Sequence, residues 1–288
     1  MTIDVLDTIH DPGKPGGPND DDLGHAGNCA WVFDGATGLG DTQLTGTASD
    51  AAWLAQAGSA ALKARAPSHR GPLTALAEEV LSDVSRRFDA EADRQPAERF
   101  ERPTASLILI RHTGGVVDCL NFGDCKVLLR DGTGAFHSFG SNEESESYEN
   151  NLASRFSEQR KTEGESGAPD QHRSSFLDRL RKVRNRHNVS GGYWVFGLDP
   201  EAAEHARTRS FPITAPAIAL MMTDGFEALA GDYGRYTEEA LLDAALDRGL
   251  ASLKDELRHI ERELDPEAHH FPRFKQSDDA TAMLVKLG

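Results

Sequence analysis

The chain has 288 residues, the length of one large domain or two small ones, and its 31 Lys and Arg against 47 Asp and Glu leave a net charge of −16. That balance argues against coating DNA or RNA, which needs a basic footprint, and the longest apolar runs, such as residues 217–222, fall far short of the ~20 residues that span a bilayer. The opening residues carry no basic segment leading into an apolar one, and Cys29, Cys119 and Cys125 form no C-x-x-C, so a cytoplasmic protein with core thiols is expected.

Residues 11–24 mix turn formers with carboxylates and read as a loop. Cys29 to Phe33 is a short apolar run, a buried strand that stops at Asp34-Gly35. Ser49 then caps a helix on which Trp53, Leu54, Ala57, Ala61 and Leu62 recur at helical spacing. A second helix fits 72–88, with Leu73, Leu76, Ala77, Val80, Leu81 and Val84 on one face. Strands follow at 105–110, 116–122 and 126–129, joined by polar turns as in an antiparallel meander. Residues 140–175 are charged and poor in apolar side chains, an excursion from the core. A basic run (Arg173, Arg179, Arg181, Lys182, Arg184, Arg186) is opposed only by Asp178. It suits either the docking of a phosphorylated or acidic partner or a solvated helix face whose inner side is Phe176, Leu180 and Val183. The chain re-enters the core at Tyr193 to Phe196, and Asp199-Pro200 reads as a helix start. A strand at 218–222 ends in Thr223-Asp224-Gly225. Helices at 237–247 and 249–264 and a last strand at 280–287 complete one α+β domain. Trp31, Trp53 and Trp194 are expected in the core, and the adjacent His269 and His270 are not expected to share an ion.

Acidic residues recur where strands end. Asp20, Asp21 and Asp22 precede the first strand, Asp34 and Asp224 end strands, Asp124 follows one, and Asp278-Asp279 opens the last. If those strands are neighbours, their carboxylates meet on one rim, where like charges are costly unless a cation neutralises them. All-oxygen donors favour Mg²⁺ or Mn²⁺ over zinc. An Asp-Gly pair is also a common hairpin turn, and Asp131-Gly132 reads as one. Asp34-Gly35 and Asp224-Gly225 differ, because each leads towards helix. No phosphate-cradling G-x-x-x-x-G-K-S/T loop is present, which disfavours a nucleotide-driven enzyme.

At these positions the chain resembles the metal-dependent protein phosphatases of the protein phosphatase 2C family, in its bacterial single-domain form. The resembling motifs come in the family's order: Asn19-Asp20-Asp21, Val32-Phe33-Asp34-Gly35, Pro103-Thr104-Ala105-Ser106, Gly123-Asp124-Cys125-Lys126 through Asp131-Gly132, Met222-Thr223-Asp224-Gly225, and Ser277-Asp278-Asp279-Ala280-Thr281. The resemblance implies an α+β fold of four layers, α-β-β-α, in which two antiparallel sheets are flanked by helices. It implies one catalytic domain over 1–288 with a flap inserted at about 140–192. It also implies a centre of two Mn²⁺ or Mg²⁺ ions, with hydrolysis of phosphoserine or phosphothreonine by a water bridged between them.

Position by position, Asp34 would bridge both ions, the Gly35 carbonyl would help hold one, Asp224 and Asp278 would bind the first, and Asp20 would face the second. Asp124 with Asp224 would offer a third site. Asp21 and Asp279 would stand behind these ligands. Asp34, Asp224 and Asp278 are the implied catalytic set, with phosphorylated proteins, a serine/threonine kinase or its targets, as implied partners. Four departures stand out. Gly16 occupies the place of a phosphate-binding Arg, with Lys14 close by. Asp20 replaces a Glu, Ala36 stands where eukaryotic members have His, and Cys125-Lys126 replaces Ser-Arg; Cys125 reads as a small core residue. Two readings therefore stay open, an active phosphatase and a phosphoprotein-binding or regulatory module on the same fold.

Overall fold

The computed structural model of the protein describes residues 3–140, 156, 158–159, 162, 167–169 and 176–288. Two five-stranded antiparallel sheets face each other. In the first the order is β1 (Ile3–Asp11), β10 (Ala280–Leu287), β9 (Ala217–Met222), β6 (Lys126–Arg130) and β7 (Phe136–Gly140). In the second it is β2 (Asp22–Ala26), β3 (Cys29–Gly35), β4 (Ala105–Thr113), β5 (Val116–Phe122) and β8 (Arg207–Pro212).

The central strands are apolar on both faces because each face meets a different layer. Along β3, Ala30 and Val32 point between the sheets, while Cys29, Trp31 and Phe33 point to the helices α1 (Asp50–Arg65) and α2 (Leu73–Glu91). Strand β10 does the same: Met283, Val285 and Leu287 enter the inter-sheet core, and Ala280, Ala282 and Leu284 face α5 (Glu238–Arg248) and α6 (Leu250–His259). This period of two fills four layers, α-β-β-α, with three apolar cores. Between α1 and the second sheet, Phe196 packs edge-on against Phe33, with ring centroids 4.9 Å apart. No helix among the described residues is long and apolar enough to cross a membrane.

Ser49 caps α1 as expected, accepting from Ala52 N at 3.3 Å, and α6 continues into a π-helical turn over Ile260–Leu264. Asp131 accepts from Thr133 N at 2.9 Å and Ala135 N at 3.0 Å, an ordinary turn between β6 and β7. The expected loop over 11–24 needs correcting, since β2 begins at Asp22 and β1 lies just before it. β7 and β8 are further strands that periodicity did not mark. All four are edge strands, whose outer sides face solvent and carry polar residues, so no apolar run announces them. Residues 193–196 enter as an irregular segment joined to β4 by an Ala105–Phe196 bridge, not as a strand. Most of the excursion at 140–175 lies outside the described residues.

Candidate active site

Strand ends from both sheets meet at one rim. In the second sheet, Asp34 lies opposite Ser106 and Gly35 opposite Ala105, where β3 ends and β4 begins. Asp124 sits in the connection that carries the chain from β5 in the second sheet to β6 in the first. In the first sheet, Met222 pairs with both Lys126 and Ala282, so Asp224, just past β9, and Asp278, just before β10, emerge at the same end. Asp224 opens α4 (Asp224–Glu227). Asp34, Gly35, Asp124, Asp224 and Asp278 line one cavity of about 250 Å³.

The two Asp-Gly pairs that lead to helix are not hairpin turns. A Cβ on Gly35 would lie 2.2 Å from the Asp20 carbonyl oxygen, and one on Gly225 would lie 2.0 Å from that of Asp279. Each glycine lets one backbone cross directly over another, and the crossings hold the acidic segments against the strand ends. Asp279 fastens them further. One of its oxygens accepts from Gly13 N at 2.8 Å and the other from Asp20 N at 2.7 Å. Thr223 donates from its hydroxyl to Asp21 at 3.2 Å and accepts from Thr281 N at 3.1 Å.

Charge dominates the rim. Burial, then the like charges of Asp224, Asp21 and Asp124, hold the Asp34 carboxyl well above the ordinary range. Burial and then Asp279 and Asp278 do the same for Asp21, partly offset by hydroxyl hydrogen bonds. Asp20 is raised mainly by burial, and the hydrogen bond from Ser49 Oγ opposes the rise. Its second oxygen accepts from Thr37 Oγ1 at 3.4 Å. Asp20 and Asp21 stand behind the cavity wall, and it is Asp21 whose field reaches Asp34. Cys125 is fully buried, and burial with the surrounding carboxylates pushes its thiol up, so it supplies no thiolate nucleophile.

This donor set fits hard divalent ions: every candidate ligand is a carboxylate or carbonyl oxygen, and like charges at Asp34 favour a neighbouring cation. Among the described residues no three His, Cys, Asp or Glu stand at the spacing of a ready ion cage. Lys275 Nζ lies 2.5 Å from Asp278. Beyond Asp124 and Asp224 a second cavity of about 420 Å³ contains Lys126, which pairs with Glu227 at 2.8 Å and Glu238 at 3.0 Å. Lys126 thus ties α4 and α5 to β6.

The wall facing the carboxylates comes from α3 (Leu177–Arg184) and the residues after it: Leu180, Val183, Arg184, His187, Tyr193 and Val195. Burial, with the Arg184 charge, lowers His187 to about 3 and keeps its imidazole neutral. Of these residues the sequence marked Arg184 only as part of a basic run. His187 and Lys275 carried no signal. In that run Arg179 lies over Phe176, Arg181 over Phe100 and Arg186 over Tyr193, while Arg173 lies outside the described residues. Gly16 and Lys14 do not line the cavity, and His269 and His270 are exposed, bonded through their backbones to Asp265.

Solved structures with the same architecture include bacterial phosphatases. The serine/threonine phosphatase PstP/Ppp of Mycobacterium tuberculosis is 15% identical, with 100% of this chain and 99% of that one covered and a TM-score of 0.56. The catalytic domain of PstP in complex with two manganese ions is 14% identical, with 99% of each chain covered and a TM-score of 0.54. Stp1 of Staphylococcus aureus is 13% identical over 99% of this chain and 95% of its own, with a TM-score of 0.54. These likenesses establish a shared fold. No curated protein matches in sequence. The model of the family described as protein phosphatase 2C matches residues 14–265, nearly the whole chain, and the chain belongs to that family.

Proposed function

We propose that the protein is a metal-dependent serine/threonine phosphatase acting on phosphorylated proteins, a kinase or its targets among them, as a cytoplasmic enzyme. The observation that carries this reading is the convergence of Asp34, Asp124, Asp224 and Asp278 on one cavity. Asp34 would serve both Mn²⁺ or Mg²⁺ ions, the Gly35 carbonyl would help hold one, Asp224 and Asp278 would complete the first, Asp20 would face the second, and Asp124 with Asp224 would hold a third. Two such ions, when bound, supply Lewis acidity and an activated water for in-line displacement at phosphorus.

The chain's own residues do the rest. Asp279 and Thr223 fix the acidic segments, Gly35 and Gly225 let them approach, and α3 lines the cavity with Leu180, Val183 and Arg184. Residues 140–192 would form the flap of a single catalytic domain over 1–288. The pairing of Lys275 with Asp278 and the commitment of Asp20 to Ser49 and Thr37 favour a second reading, a phosphoprotein-binding module without turnover. Hydrolysis of an aryl phosphate and a phosphoserine peptide by the purified protein, with manganese and with excess chelator, separates the two. Manganese-dependent release of phosphate supports the enzyme. Saturable peptide binding with no release supports the module, and full activity in chelator refutes the metal assignment.

A further inference from the structure

We propose that Arg184 is the phosphoryl anchor of the site, gripping substrate oxygens from the wall opposite the carboxylates; this rests on the phosphatase reading above. The cavity is asymmetric. Asp34, Asp124, Asp224 and Asp278 form one side, and Arg184 is the single guanidinium among the described residues that line it. Lys275, also in the lining, is directed at Asp278 at 2.5 Å, and His187 is neutral. A phosphomonoester brings a charge of about −1.5 to −2 into this space. On the carboxylate side it needs the ions. On the other side a planar guanidinium matches two phosphate oxygens at once, which a point charge does not.

The position of Arg184 is built. Its Nη2 donates to the carbonyl of Thr37 at 3.4 Å, in the loop that follows Asp34-Gly35. Three residues earlier, Arg181 fastens the same helix to that loop, donating to the Leu39 carbonyl at 2.9 Å and to Asp41 at 2.9 Å. At the helix end, Phe100 N donates to Asn185 Oδ1 at 2.8 Å. One turn before Arg184 on the same face, Leu180 packs on an aromatic cluster of Phe156, Phe176 and Phe274. Phe274 is the chain neighbour of Lys275, so one small core locates the cations on both sides of the cavity. Arg184 therefore follows the Asp34 loop as one unit.

The test measures binding of inorganic phosphate to the manganese-loaded protein by calorimetry, alongside kcat and KM for an aryl phosphate. The variants are Arg184→Gln, Arg184→Lys and, as a charge control on the exposed side of α3, Lys182→Gln. Arg184→Gln should weaken phosphate about 10- to 100-fold, the scale of a hydrogen-bonded charge pair, and raise KM more than it lowers kcat. Arg184→Lys should recover part of the affinity, and Lys182→Gln should stay within about twofold. Wild-type protein that binds no phosphate, Arg184→Gln that binds like wild type, or Lys182→Gln that loses as much would each overturn the anchor. Phosphate held through Arg184 without turnover would keep the anchor and refute the phosphatase. Turnover with phosphate affinity indifferent to Arg184 would do the reverse.

Discussion

Replacing Asp34 by Asn keeps the side chain's volume and one carbonyl oxygen but removes the charge that two cations would share. Two opposite effects follow. Burial and the fields of Asp224, Asp21 and Asp124 penalise the charged carboxyl, so the metal-free variant should melt at or above the wild type. Manganese at 100 times its dissociation constant stabilises the chain that binds it by about 2.7 kcal/mol. At roughly 2–4 °C per kcal/mol for chains near this size, the wild type should gain about 5–11 °C. Asp34→Asn weakens both sites and should lose most of that gain. Its turnover should fall more than about 100-fold, since groups that merely support a metal ligand are commonly worth 10- to 100-fold. Asp20→Asn alters a carboxylate already held by Ser49 and Thr37 and should lose less of both. The assay is a manganese titration of melting temperature and turnover for the two variants beside wild type. Near-normal turnover and a normal shift in Asp34→Asn would remove the bridging role and the phosphatase reading with it.

Three other outcomes are expected. Asp224→Asn and Asp278→Asn should abolish most phosphate release without lowering the metal-free melting temperature; a collapse of that temperature in both would mark them as structural. Gly35→Ala places a methyl 2.2 Å from the Asp20 carbonyl and should cost about 1–3 kcal/mol by overpacking, read as a lower midpoint in urea, and an unchanged midpoint would show that the crossing relaxes freely. His187 holds no proton down to pH about 3 when folded, against 6.5 as its ordinary value, so the unfolded chain binds the extra proton and wild-type stability falls with acidification. Between pH 7 and pH 5 the loss should reach about 2 kcal/mol relative to His187→Gln, and parallel pH profiles for the two proteins would refute it.

The central strands and the long helices were legible because their burial is dictated by residues close in sequence: apolar runs for β3, β4, β5, β9 and β10, and 3.6-residue spacing for α1 and α2. The edge strands were not, because β1, β2, β7 and β8 bury one side against a partner that only the fold supplies. The carboxylates were legible as a set, since each sits beside a strand or turn signal. Their division of labour was not. Nothing in Asn19-Asp20-Asp21 indicates that Asp20 turns to Ser49 while Asp21 faces Thr223. Three polar residues of the cavity lining were illegible for a plainer reason. Arg184, His187 and Lys275 owe their place to how α3 and the segment before β10 pack on the sheets, and a lone basic residue carries no trace of what will stand opposite it.

The pairing of β1 with β10, and of the Asp34 rim with Asp278, sets an order on biosynthesis. The second sheet has four of its strands by residue 122, yet the first has no β9 until residue 222 and no β10 until residue 287. At about 5–20 residues per second, synthesis separates Asp34 from Asp278 by on the order of tens of seconds. Until β10 is made β1 has no neighbour in its sheet, and until residue 224 is made the half-rim offers only Asp34 and Asp124 with the acidic segment at residues 20–22. A nascent chain thus passes through a stage with a partial ligand set and an unpaired edge. In the proposed metal-dependent enzyme, loading would be the last event of folding, and arrested or truncated chains lacking the final strand should fail to bind manganese in a titration, however well their second sheet has formed.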